Sequence, residues 1–431
     1  MILMYLMALT FFLVTGVKLC KRKVNDRFRY ELSPRLILVI SYCIYSSAMP
    51  ISRLFFASAE TSYDEEYMMA QLLGALGILI GLIIRGRRPK VARDKSSKES
   101  ARVFQPVPAI ILMTLTMGIV IFIALKALEW NFAAIFFPYG YELSLLRGDE
   151  RPTVFGAIAY LFPISSVVLS FIGARNIKSK NQIMTTLLFA GLFSIFYLLR
   201  GSRNSAGMMI ISLIGVYFYS KPINIKKLLL FCLLTYFVIY SVGIVRSFGF
   251  SRLNDVAFQL EMFDPLKQEF GTNYSVFTKW KETGRDDGLL LGKSYTSDAL
   301  INMVPMRFWP DRPPTAAAQF SMGYFGKVYK GELTLGLGFS PVVESLMNFG
   351  YMGIIPVFAL FCCLVTFLES WFMRKGAWGI VCYAFMIPTM INWNRIDMAI
   401  LLKIFIIFSV VSKIFSMFIF PRSKPELIDG R

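Results

Sequence analysis

Residues 398–420 read MAILLKIFIIFSVVSKIFSMFIF, with Lys403 and Lys413 as the only charges. As a helix at roughly 1.5 Å per residue this stretch is about 35 Å long, enough to cross the hydrocarbon core of a bilayer. A soluble surface helix would carry a polar face, and this one has none. Ten more stretches of the same character lie at 1–17, 36–57, 68–84, 107–126, 153–173, 183–199, 205–219, 228–245, 350–370 and 377–393. The chain has 431 residues, 56% hydrophobic and 17% charged. Soluble domains carry roughly 25% charge. The sequence therefore predicts an all-α polytopic membrane protein of about 11 transmembrane helices, and it excludes a soluble multidomain enzyme.

Charge fixes the orientation expected of these spans. The first span has no basic residue before it and is followed by Lys18, Lys21, Arg22 and Lys23, so it reads as a retained helix. With basic segments facing the cytoplasm, the cytoplasmic connections are 18–35, 85–106, 174–182, 220–227, 371–376 and the tail from 421. They hold 26 of the 46 basic residues. On the other side, 58–67 carries Glu60, Asp64, Glu65 and Glu66 with no base, and 246–349 carries eleven bases and eleven acids. The expected arrangement is helices 1–8 over 1–245, a large outer loop over 246–349, helices 9–11 over 350–420 and a cytoplasmic tail over 421–431. The N-terminus is outside and the C-terminus inside. The net charge of +19 thus marks orientation, not a nucleic-acid footprint.

Several chemistries drop out. The sequence has no histidine, so no imidazole base or imidazole metal ligand exists. The longest cytoplasmic connection, 85–106, is too short for a nucleotide-binding fold, since one βαβ unit needs about thirty residues. The run Gly288, Leu289, Leu290, Leu291, Gly292, Lys293, Ser294 imitates a P-loop with three residues between glycines where the motif has four. The six cysteines lie in or beside spans and form no CxxC pair, so neither a disulfide framework nor a zinc site is expected. Asp286 and Asp287 read as a solvated acidic turn. No internal repeat is visible, which argues against a transporter built from inverted halves.

The outer loop is where a site is expected. Val256, Leu260, Met262, Phe263, Leu266 and Phe270 recur near helical spacing, as in an interfacial helix or a cap over the bundle. Pro305 to Pro314 encloses Arg307, Phe308, Trp309, Asp311 and Arg312 among four prolines. Ser340 and Pro341 signal a helix start. Glu344 and Asn348, four apart, share one face of that helix. Glu344 reads either as a helix-start charge favoured by the dipole or as a functional carboxylate. Arg200, Arg203, Arg246 and Arg395, with Arg53, sit at outer ends of spans, where the topology rule depletes bases. Singly they are snorkelling side chains; together they suggest a shared anion, since guanidinium forks bind phosphate bidentately. Inside the spans charge is sparse, and Lys403 is the clearest case.

This layout resembles the O-antigen polymerase (Wzy) family of bacterial repeat-unit polymerases. The resemblance rests on the many spans, the turn Arg200-Gly201-Ser202-Arg203, one large late outer loop, and the run from Gly336 through Glu344 to Asn348-Phe349-Gly350. It implies a membrane glycosyltransferase of the broad GT-C type in the bacterial cytoplasmic (inner) membrane. The implied substrate is an undecaprenyl-diphosphate-linked oligosaccharide, with no cofactor or metal and no nucleic acid, and with a chain-length regulator and a flippase as possible partners. Related ligases of this architecture use an outer-loop histidine, which this chain lacks.

In that scheme Glu344, or alternatively Asp311, is the base or acceptor-orienting group. Arg200, Arg203, Arg246, Arg307, Arg312 and Arg395 hold diphosphate. Trp309 and Asn348 contact sugar, although packing also accounts for Trp309 and Phe308. A flippase for lipid-linked sugars and an O-antigen ligase are the competing readings.

Overall fold

The computed structural model describes residues 1–20, 22–24, 27–29, 32–56, 60–85, 103–127, 130, 155–199, 203–219, 264–267, 269–283, 288–304, 308–309, 311–325 and 338–421. Seven helices lead: α1 (Ile2–Leu19), α2 (Pro34–Phe55), α3 (Asp64–Arg85), α4 (Pro106–Ala127), α5 (Phe155–Asn176), α6 (Lys180–Leu199) and α7 (Arg203–Phe218). Three shorter ones, α8 (Thr272–Glu282), α9 (Ser297–Ile301) and α10 (Ala316–Phe325), belong to the large loop. The chain closes with α11 (Pro341–Phe372), α12 (Gly376–Trp393) and α13 (Met398–Ile419).

Of these, α1, α2, α3, α4, α6, α11 and α13 are long and apolar enough to cross a membrane. The protein is an all-α polytopic membrane protein, as its hydropathy predicts. The predicted span 228–245 lies outside the described residues. A short antiparallel hairpin, β1 (Arg22–Val24) and β2 (Arg27–Arg29), pairs Arg22 with Arg29 between α1 and α2, a feature the hydropathy reading did not contain. The helix expected to run to Phe270 is absent over its described part. Residues 265–267 and 269–271 form two 3-10 turns, and the Asp264 carboxylate accepts the Leu266 N–H. Pro265 has no N–H to give an α-helix and favours such a start.

Two apolar clusters build the bundle. One joins α1, α2, α3, α8, α10, α11 and α12 with Ile211 of α7 and the first turn of α13; the other joins α4 to α7 with α12 and α13. Helix α12 serves both. Met386, Met390 and Trp393 face the first cluster, while Val381, Ala384 and Phe385 face the second, where Phe385 stacks on Phe408 at 3.6 Å. Serine and threonine hydroxyls add contacts between helices, Ser165 with Ser412 at 2.8 Å and Thr116 with Ser166 at 3.0 Å. In hydrocarbon such pairs and close packing, rather than exclusion of water, hold helices together.

The most extensive helix pair is α3 with α11. Gly77 and Gly81 make it possible, because a Cβ at either would stand 2.6 Å from a main-chain carbonyl oxygen, of Ile355 and Ala359 respectively. The loop packs at the end where α2 finishes and α3 begins. There Arg53 Nε and Nη2 reach both oxygens of Asp64 at 2.8 and 3.0 Å, and Tyr274 of α8 joins them. Glu66 bonds Lys281 of α8 and Tyr351 of α11. The acidic residues at the start of α3 therefore stitch the loop to the bundle. At the far end a buried pair, Arg35 Nε and Glu369 Oε2 at 2.8 Å, ties α2 to α11.

The tight α3 and α11 contact sets a test. Gly77→Leu inserts a side chain against main chain, and forced overpacking costs about 1–3 kcal/mol. The expected result is a lower melting temperature and less monodisperse protein in detergent. Gly118→Leu is the control, since a Cβ there meets nothing within 4 Å, and it leaves both measurements unchanged.

Candidate functional site

A helix of 32 residues would be about 48 Å long, well beyond a bilayer core. In α11 the length is divided at Gly350, whose φ of 66° and ψ of −164° are not helical. The part after the break, 351–372, is about 33 Å long and matches a span. The part before it, 341–349, is a short separate helix that precedes the span. Ser340 is its N-cap in extended geometry and Pro341 its first residue, as read from the sequence.

Such a break leaves carbonyls at the end of the short helix without their usual donors. The turn 288–292 supplies them. Leu290 N–H donates to Met347 O at 2.9 Å, Leu291 N–H to Asn348 O at 3.0 Å, and Gly292 N–H to Asn348 Oδ1 at 3.0 Å. Gly288 and Gly292 adopt φ of 73° and 86°, the left-handed region open to glycine. The P-loop-like run is thus a cap for a helix end.

Beneath this turn lies a buried group of carboxyls. Glu344 is 1% exposed; Asp298 and Asp397 are fully buried. Glu344 Oε1 accepts the Ser294 hydroxyl at 2.9 Å and Oε2 the Met398 N–H at 3.0 Å. Asn348 Nδ2 donates to Ser294 Oγ and to Glu344 O, both at 2.7 Å. Asp397 caps α13, accepting Ile400 N–H at 2.9 Å, and also takes Ala317 N–H of α10 at 3.2 Å. Asp298 is in the first turn of α9, and its Oδ2 has no partner among the described residues.

The starts of α9, α10, α11 and α13 therefore converge, and positive helix ends favour negative side chains. Burial still dominates. It pushes the Glu344 carboxyl up from 4.5 to about 8, helped by Asp397, against the Met398 N–H and Ser294 hydroxyl that favour the charged form. Burial also raises Asp397, opposed by donors from Thr315, Ile400 and Ala317. Among the described residues no three histidine, cysteine or carboxylate side chains are placed to hold a metal ion.

The predicted site residues separate into groups. Glu344 and Asn348 come together, with the Asn348 amide bonded inside the protein on both its oxygen and its nitrogen. Asp311 is exposed, as are Phe308 and Trp309, at 79% and 43% for the two rings. Arg312 donates through Nη1 to the carbonyls of Asn302 and Val304 at the end of α9. Arg395 is partly buried, and its carbonyl accepts Phe339 N–H at 2.7 Å. Arg53 is engaged by Asp64. Arg203 opens α7, but its side chain lies outside the described residues, as do Arg200, Arg246 and Arg307. Ser294, Asp298 and Asp397 were not anticipated. Asp397, just before an apolar helix, carried an N-cap signal; the other two became neighbours only through long-range folding.

A family model described as O-antigen polysaccharide polymerase Wzy matches residues 1–422. No curated protein and no solved structure matches the chain.

The raised Glu344 carboxyl predicts a pH signature in stability. A group that binds its proton more tightly when folded loses its stabilising contribution as pH rises from its unfolded value, 4.5, through about 8. Glu344→Gln has no such dependence. Melting temperatures across pH 5–9 should therefore shift in favour of the glutamine variant up to about pH 8 and then level off. A constant difference across that range would refute the assignment.

Proposed function

The chain belongs to the O-antigen polysaccharide polymerase Wzy family, whose members join lipid-linked repeat units in the membrane, and from this membership we propose the chemistry its buried carboxyl performs. The donor is a growing glycan on undecaprenyl diphosphate at the outer face of the bacterial cytoplasmic membrane. The acceptor is a sugar hydroxyl of a second lipid-linked repeat unit. The acceptor oxygen bonds to the anomeric carbon of the donor, the bond from that carbon to the diphosphate breaks, and the bonding pair leaves with the diphosphate. Configuration at that carbon inverts.

The observation that carries this reading is Glu344, a carboxyl with its proton affinity near neutrality, held at the loop end of an apolar bundle. A base works best with a pKa close to the operating pH, and Glu344 takes the hydroxyl proton here. The turn 288–295 lies over it, so in this scheme the turn lifts when the acceptor arrives. Ser294, Asn348 and Asp397 are positioning residues that fix the carboxyl. Asp311, exposed in the large loop, is the alternative base.

Arg200, Arg203, Arg246, Arg307, Arg312 and Arg395 stabilise charge on the departing diphosphate, an electrostatic role that is often the largest in catalysis. The exposed ring of Trp309 offers a face for sugar. The reaction in this reading is of the broad GT-C type and needs no metal. A flippase delivers the repeat units and a chain-length regulator acts on the polymer.

The decisive assay supplies purified lipid-linked repeat units to the purified protein without nucleotide. A ladder of products is expected. A single addition to lipid A core would identify a ligase, and lipid movement without chemistry a flippase; either outcome removes the polymerase reading. In the same assay Glu344→Gln should lose about a hundredfold in rate or more, while the wild-type rate rises with pH toward about 8. Lysine at Arg200, Arg203 or Arg246 keeps the charge but loses the fork. Full activity in all three lysine variants would overturn the diphosphate clamp.

A further inference from the structure

Helix α13 has two lysines with different surroundings. Lys413 sits over the Trp378 ring at 4.7 Å. Lys403 is five residues past Met398, about 7.5 Å along the helix, and is only partly buried in an otherwise apolar turn. Among the described residues it meets no carboxylate. The charge that acts on it is instead a like one, Arg312.

A charge within a span is costly without a purpose, and Arg312 lies close enough to act on Lys403 electrostatically. The loop imposes the encounter. Helix α9 packs on α13, and Arg312 is pinned to its end through the Asn302 and Val304 carbonyls. The guanidinium still has a buried Nε–H without a partner among the described residues. Around it, Leu300, Val304, Phe308 and Trp309 present exposed apolar side chains on the same loop.

We propose that Lys403 and Arg312 form a binding site for a phosphate anion carried on an apolar tail, entered from the lipid between α13 and the loop. Lys403 contributes a point charge and Arg312 its free edge, and the exposed loop side chains meet the tail. The proposal rests on the lipid-diphosphate reading above and adds a residue within a span to it. The carboxyl site and this cation site then occupy the two ends of the first turns of α13, Asp397 and Met398 at one and Lys403 at the other.

The test measures binding without turnover. The full chain is placed in nanodiscs of phosphatidylcholine and titrated with undecaprenyl diphosphate, and with phosphatidylglycerol in a second arm. Lys403→Met should weaken binding about tenfold, the loss of one charged contact, and Lys403→Arg should restore it. The methionine variant should melt no lower than the wild type without ligand, because an unpaired charge has been removed. Lysine-dependent binding of the diphosphate assigns the site to the carrier; lysine-dependent binding of phosphatidylglycerol alone assigns it to membrane lipid, with the phosphate site standing in both cases. Equal affinity of wild type and Lys403→Met for both lipids overturns it. A failed polymerase assay with intact lysine-dependent binding counts against the polymerase reading only.

Discussion

Hydrocarbon offers no hydrogen bonds, so every main-chain N–H and C=O near it needs an internal partner. Where α11 breaks at Gly350 that requirement becomes acute, because the carbonyls of Met347 and Asn348 lose their helical donors. The turn 288–292 answers with three N–H groups, two to those carbonyls and one to the Asn348 side chain. Docking this turn brings Ser294 onto Glu344 and sets α9 on α13. The cover over the carboxyl descends from one interrupted helix, while the acidic start of α3 fastens the rest of the loop through Tyr274 and Lys281.

Energetically the carboxyl site is a balance between desolvation and oriented donors. An isolated buried carboxylate is costly, and Glu344 has two donors, one a hydroxyl and one a backbone N–H. Those are too few to overcome burial and the neighbouring Asp397, so the proton is retained toward neutral pH. Asp397 has more donors yet is also raised. The arginine pairs elsewhere show the opposite solution. Arg53 with Asp64 and Arg35 with Glu369 set opposite charges in direct contact, and they fasten the structure at both ends of the bundle.

Much of the fold was legible because the period and length of apolar runs are local properties. The first span was read as 1–17 and is Ile2–Leu19; the last was read as 398–420 and is Met398–Ile419. The link between Glu344 and Asn348 was also legible, since four-residue spacing is a helical fact. So was the boundary at 349/350, where a span is expected to begin after a separate helix start at Ser340 and Pro341; the non-helical geometry of Gly350 and its capping by the turn 288–292 were not. Ser294 and Asp298 were hidden because they lie about fifty residues from Glu344 in sequence and meet it only through the turn. Arg53 looked like an outer anion ligand until Asp64, eleven residues away across a loop, closed on it. A sequence shows which charges exist but not which have already found each other.

The break in α11 also bears on how the protein experiences its membrane. A span adjusts to bilayer thickness chiefly by tilting, and an unbroken helix of 32 residues would transmit that tilt to anything mounted on its first turns. Gly350 interrupts the lever. The hydrophobic rod below it can lean as the lipid thins or thickens, while the carboxyl above it is referenced to Ser294 and to the main chain at Met398. A single non-helical glycine thus separates the part of α11 that must suit the lipid from the part that must suit the carboxyl.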